Sequence, residues 1–282
     1  MRNHIVETRF GEVFCQEEGQ GDPLLLLHQS GRSSRMFRDV LPLLGRSCRA
    51  ISFDLPGFGR SAPMPEGTTI SDLADLCCEL LDVLDAAPAH VYGHHSGNKI
   101  ATEMAVRAPS YLRKLILAGQ SHSIIADQQA RNEAIGKFTG PYSAIGQIEH
   151  VDLAAAASWA KVYRTFSGAW WHPQAMLNEA ARNQARAEAL DAIEGEVGAA
   201  RLYAANTAYD LGAGYRSVAV ETLVLEIVTP QEDAMIGRQG GDVAALIPGA
   251  VLAEIEAPDG DGVTLEGQAP DLAWKILDFL QR

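Results

Sequence analysis

The stretch His90-Val91-Tyr92-Gly93-His94-His95-Ser96-Gly97-Asn98-Lys99-Ile100-Ala101 constrains this chain more than any other. It reads as a short apolar strand, a sharp turn and an amphipathic helix. Where a strand passes straight into a helix, the two backbones come into near contact and the residue at the bend is strained. Small residues are needed two positions to either side. Gly93 and Gly97 meet that need and put His95 at the apex. With Ser96 at the apex instead, His94 and Asn98 would occupy the crowded positions, so that register is rejected.

Strand and helix signals alternate through the first half, the pattern of a largely parallel sheet covered on both faces. Ile5 to Phe10 and Glu12 to Cys15, split by Gly11, predict an opening hairpin. Pro23 to His28 is a continuous apolar run, expected of a strand buried on both faces. Cys48 to Asp54 and Leu112 to Ala118 predict further strands. Ser34 to Leu44 is expected to be helical. Ser71 is the expected N-cap of a helix carrying Leu73, Leu76, Cys77, Leu80, Leu81 and Leu84. From about Ser121 the strand runs vanish, alanine rises, and Trp159, Tyr163, Phe166, Trp170 and Trp171 appear among helical segments. The rhythm returns at Thr222 to Ile227, continues through Val251 to Ile255, and closes with a helix from Pro270 to Leu280. The expected organisation is a core of residues 1–120 and 206–282 with a helical cap of residues 121–205 inserted in it.

A chain of 282 residues, 47% hydrophobic, can bury a core of that size. A net charge of −13 argues against nucleic acid and anionic membrane surfaces as partners. No run approaches the length of a membrane span, and Met1 to Glu7 lacks the apolar core of a secretion signal. The expectation is a cytoplasmic protein acting on a small molecule, with a homodimer left open. Cys15, Cys48, Cys77 and Cys78 show neither metal spacing nor a disulfide framework, and read as reduced thiols in packing roles. Gln239-Gly240-Gly241-Asp242 has no Lys-Ser/Thr after it, and Gly212-Ala213-Gly214 lacks dinucleotide context. No cofactor is expected.

Several segments in this order resemble the α/β-hydrolase fold superfamily across essentially the whole chain. Leu24 to His28 followed by Gln29-Ser30-Gly31 resembles its strand and oxyanion-hole loop. Phe53-Asp54-Leu55-Pro56-Gly57-Phe58-Gly59-Arg60-Ser61 is the most specific match, and Gly93-x-His95-x-Gly97 has the spacing of the nucleophile elbow. The resemblance implies a mostly parallel eight-stranded sheet with helices on both faces. The cap's position implies the small-molecule branch that includes epoxide hydrolases, haloalkane dehalogenases and carbon–carbon bond hydrolases.

The departures bear on chemistry. His95 stands where that family carries Ser, Cys or Asp. Counting back five residues from Glu266 to the family's catalytic histidine lands on Asp261, and no histidine follows His172. Glu232-Asp233 resembles the family's acid, and Gln29 replaces the glycine after His28. A serine mechanism needs nucleophile, base and orienting acid, and cannot run here. A carboxylate facing an imidazole still fixes its tautomer, so His95 is expected to act as general base or acid, oriented by Asp261 or Asp233. The Ser96 and Ser30 amides would form an oxyanion or enolate hole. His28 and Gln29 complete that loop, His94 reads as a packing residue, and His122 and Trp171 are candidates for the pocket. His28, His95, His122, Asp233 and Asp261 could converge on a metal, but no His-x-x-x-His or Cys pair supports one, and no metal is expected. The competing class is a catalytically silent ligand-binding protein on the same scaffold.

Overall fold

A run of four leucines suits a strand covered on both sides, and Leu24 to Leu27 is such a strand, with all four side chains buried. The computed structural model of the chain describes residues 1–119, 133, 187, 190–228, 237–257 and 268–282. Within these, eight strands form one sheet: β1 Arg2–Thr8, β2 Gly11–Glu18, β3 Pro23–Leu27, β4 Arg49–Phe53, β5 Ala89–His94, β6 Leu112–Ala118, β7 Thr222–Val228 and β8 Val251–Glu256. Their order is β1-β2-β4-β3-β5-β6-β7-β8. β1 and β2 pair antiparallel, as do β2 and β4, whereas every pairing from β4 to β8 is parallel.

The α-helices with described bounds are α1 Leu41–Leu44, α2 Ile70–Val83, α3 Ser96–Arg107, α4 Glu196–Ala208, α5 Leu211–Ser217, α6 Gly240–Leu246 and α7 Ala269–Gln281. Alternation along the strands separates two cores. Leu25, Leu27, Val91 and Leu117 pack with Leu73 and Leu80 of α2 and Ile100 and Met104 of α3. Leu24, Leu26, Tyr92 and Ile116 pack on the opposite face with Leu272, Ile276 and Phe279 of α7. Each fully buried leucine contributes roughly 1.5–3 kcal/mol, which is why the inner strands hold their register.

Two elements differ from the sequence expectation. The helix expected over Ser34 to Leu44 is a 3-10 turn, Ser34–Phe37, followed by the single turn of α1. Pro42 fits the break: it has no N–H to give to the preceding turn, and it sits in the first turn of α1, where that loss costs least. The cap of α2 is Thr69, not Ser71. The Thr69 side chain accepts from the Asp72 amide at 3.1 Å while Asp72 Oδ2 accepts from the Thr69 amide at 2.9 Å, a reciprocal capping box. Those bonds to Thr69 hold the Asp72 carboxyl below its ordinary range.

Winding goes one way from β3 to β4 and the other way from β5 through β8. Ligands of open α/β sheets bind at such a reversal, beyond the carboxyl ends of the strands. His28 leaves β3 and His95 leaves β5 at that point.

Most of the expected cap lies outside the described residues. Helix α4 crosses the expected boundary at 205/206. It lies directly on the core: a Cβ on Gly198 would come within 2.2 Å of the Gly57 carbonyl oxygen, and Leu202 and Ala205 are buried among core side chains.

Candidate active site

His95 has φ +48° and ψ −105°, a conformation that L residues rarely adopt. Such a backbone costs about 1–3 kcal/mol and persists only where neighbours over-determine it. Here the His95 N–H donates to the Ala118 carbonyl at 3.1 Å, and its carbonyl accepts from the Asn98 amide at 3.1 Å. Asn98 fastens the first turn of α3: its Nδ2 donates to the Ala118 carbonyl at 3.2 Å and its Oδ1 accepts from the Tyr215 hydroxyl at 2.9 Å.

The two glycines explain the register. A Cβ on Gly93 would come within 2.3 Å of the Gly97 carbonyl oxygen, and one on Gly97 within 2.3 Å of the Leu27 carbonyl oxygen. Both obstacles are backbone, which side-chain rotation cannot relieve. Gly97→Ala is therefore expected to destabilise the fold by about 1–3 kcal/mol, read as a lowered urea midpoint. Gly31→Ala meets nothing within 4 Å, so only its φ of +74° opposes it, and the loss should be smaller. A larger loss at Gly31 than at Gly97 would overturn this account of the bend.

The His95 ring is half-buried, whereas the residues on either side of it are buried. It packs against the backbone of Gly119, where a Cβ would come within 2.7 Å of ring atoms Cγ and Cδ2. His94 stands edge-on to it with ring centroids 4.6 Å apart. His94 is fully buried, and burial, followed by the nearness of His95 and Arg32, pushes its imidazole well below the usual histidine range. His94 is thus neutral, with Nδ1 hydrogen-bonded to the Tyr92 hydroxyl at 3.1 Å.

His28 is fully buried and committed to the backbone. Its Nδ1 meets the Gln29 carbonyl at 2.7 Å and its Nε2 accepts from the Leu55 amide at 2.9 Å. Burial lowers its imidazole as well, so a neutral His28 ties the loop after β3 to the loop after β4. In that second loop the buried Asp54 carboxylate accepts from the amides of Ser34 and Arg60, at 2.7 and 2.9 Å. This is the physical content of the most specific family segment.

Ser30 and Ser96 are brought together through the Ser96 hydroxyl. The Ser30 amide donates to the Ser96 hydroxyl oxygen at 3.3 Å, which also accepts from Asn206 Nδ2 at 2.8 Å. The Ser96 amide opens α3, where the first N–H groups have no intrahelical acceptor. Gln29 is buried beside Ser30. Asp233, Asp261, His122 and Trp171 lie outside the described residues. Among the described residues no three His, Cys, Asp or Glu side chains gather as metal ligands, and no helix is long and apolar enough to cross a membrane.

Three contributions escaped the sequence reading. Asn206 reaches the bend from α4. Tyr203, one turn earlier, sets its hydroxyl against Ser30; burial raises its phenol and the contact with Ser30 opposes that shift. Asp191, fully buried, accepts from Arg32 Nε at 3.3 Å, Ser33 Oγ at 2.7 Å and Arg35 Nη1 at 2.5 Å, binding residues 190–194 to the loop that carries Ser30. A Tyr-x-x-Asn spacing in an otherwise small-residue helix was the available sign of the first two. The thiols offer no rival nucleophile, since burial pushes Cys15 up to about 12 and Cys48 and Cys78 up to about 11.

Residues 22–223 match the family described as the alpha/beta hydrolase fold, and the chain belongs to that family. Among curated relatives, the (E)-2-((N-methylformamido)methylene)succinate hydrolase of Acinetobacter baylyi is 27% identical over 99 residues, 35% of this chain and 38% of that protein. The 2-hydroxymuconate semialdehyde hydrolase of a Pseudomonas species is 33% identical over 109 residues, 37% of this chain and 38% of that protein. The matched stretches span well under half the length of these relatives. The crystal structure of a hydrolase from Pseudomonas aeruginosa has a TM-score of 0.73 at 24% identity, covering 99% of this chain and 98% of that one, which is a likeness of fold.

Proposed function

We propose that the chain is a cofactor-free enzyme acting on a small, fairly apolar metabolite, by hydrolysis or lyase-type chemistry, with His95 as general base or acid. One observation carries the reading. A half-buried imidazole occupies the strained bend at the sheet's winding reversal, over a glycine that makes room for its ring. A neutral imidazole there can take a proton from a substrate hydroxyl or from water and return it to the leaving fragment. A positioned base of this kind contributes roughly 10²–10⁴-fold, enough for an already activated substrate and too little for a plain amide. Asp261 or Asp233 would orient the ring. The relatives' names, a succinate-derivative hydrolase and a semialdehyde hydrolase, support small-molecule hydrolysis as the first chemistry to assay.

A silent binding scaffold is the second reading, favoured by the Ser30 amide being satisfied internally by Ser96. His95→Ala separates the two. The base reading expects turnover to fall to background with ligand affinity within a few-fold of wild type; equal activity would remove it. Within the base reading, Asp261→Asn should slow turnover strongly if that carboxylate holds the ring, and an unchanged rate would assign the role to Asp233.

A further inference from the structure

The buried side of α4 is apolar or side-chainless at Gly198, Leu202 and Ala205, and Asn206 is the exception. Asn206 is 6% exposed and spends one end of its amide on Ser96. The other end, Oδ1, is buried and has no partner among the described residues. Leaving such an atom unpaired costs about 1–3 kcal/mol, a loss that leucine at the same position would avoid. A second amide is in the same condition nearby. Gln29 is 9% exposed with Oε1 unpaired, and it directly precedes Ser30, whose N–H meets the same Ser96 hydroxyl. One buried amide therefore holds the Ser96 hydroxyl beside His95, and a second belongs to the residue before Ser30, whose N–H meets that same hydroxyl; each has an oxygen unpaired among the described residues.

We propose that Asn206 and Gln29 form a recognition subsite for a hydroxyl group of the substrate, next to the atoms on which His95 acts. The inference rests on the base reading of His95 and narrows its substrate class to small hydroxylated carbonyl compounds. An anionic oxygen would face amide oxygens and be repelled. A methyl group would leave both oxygens unpaired. A hydroxyl can donate to the oxygen that Asn206 leaves unpaired while its Nδ2 stays on Ser96. Sites built to bond a hydroxyl reject the analogue that lacks it, because the buried partners are then stranded.

The test is calorimetric titration of the full chain with a matched pair of probes, 2-hydroxyacetophenone and acetophenone. Wild type and His95→Ala should both bind the hydroxyketone about tenfold or more tightly than the ketone. Asn206→Leu should bring the two affinities within about twofold, chiefly by weakening the hydroxyketone. Gln29→Leu is the parallel variant should Asn206→Leu not fold, and the same narrowing is expected there. Wild type failing to prefer the hydroxyketone, or failing to bind it, overturns the proposal, as does an undiminished preference in the leucine variants. The two readings fail separately. A fully active His95→Ala removes the base and leaves the hydroxyl preference standing, whereas equal binding of the two probes removes the subsite and leaves the base.

Discussion

Asp191→Ala is expected to lower the unfolding free energy by about 3–5 kcal/mol, the range for breaking a buried ion pair by deleting one partner. Asp191 is fully buried, and Arg32, which it pairs with, is 4% exposed. The carboxylate also accepts from Ser33 Oγ and Arg35 Nη1, so its loss strands desolvated donors on the loop between β3 and the first 3-10 turn. The neighbouring ion pair supplies the control. Arg35 Nη2 reaches Glu194 at 2.7 Å, but both side chains are about a quarter to a third exposed. Screened pairs of that kind are worth roughly 0–1 kcal/mol, so Glu194→Ala should shift the urea midpoint little. Equal midpoints for the two variants would show that Asp191 does not anchor this loop.

The contrast between those two acids marks what a sequence can and cannot disclose. Leu24 to Leu27, Gly93, Gly97 and the strand–helix alternation are local signals, and the sheet, its two cores and the bend at His95 follow from them. The loop Asp54 to Ser61 was legible as a family segment, though not the reason for it. Gly59 is required because a Cβ there would come within 2.2 Å of Asp54 Oδ2, and only coordinates place that carboxylate. Asp191 meets Arg32 across 159 positions and Asn206 meets Ser96 across 110. No periodicity encodes such pairs, and an acid or amide in a helix ordinarily reads as a solvated face. Local chemistry misled in two places. Ser71 looks like a cap, yet Thr69-x-x-Asp72 is the reciprocal pair and Ile70 already belongs to the apolar stripe. Ser34 to Leu44 looks helical by its apolar spacing, and Pro42 overrides it.

His28 and His94 show the same division within the candidate site. Both were visible as imidazoles near the bend, but their roles depend on partners. Leu55 and Gln29 absorb His28, and Tyr92 with deep burial holds His94 neutral. The residue left half-buried among them is His95, the one that the glycine spacing singles out.

His95→Ser, which restores the hydroxyl that the family resemblance expects at the bend, should fail to restore hydrolysis. A serine hydroxyl at neutral pH needs an imidazole or equivalent base within hydrogen-bond reach. The sequence has no histidine after His172, so the loop that should supply that base cannot. His94 is neutral, buried and engaged with Tyr92, and His28 spends both nitrogens on the backbone. His95→Ser should therefore lose as much turnover as His95→Ala, roughly 10²–10⁴-fold, and should not react with a fluorophosphonate. Wild type, if His95 works as a proton carrier, should also remain unlabelled while turning over its substrate. A covalent adduct at position 95 in His95→Ser, or a burst of acyl-enzyme from an activated ester, would reveal a base poised for a serine. The imidazole at the bend would then be a substitution within an intact hydrolytic frame, not the seat of a different chemistry.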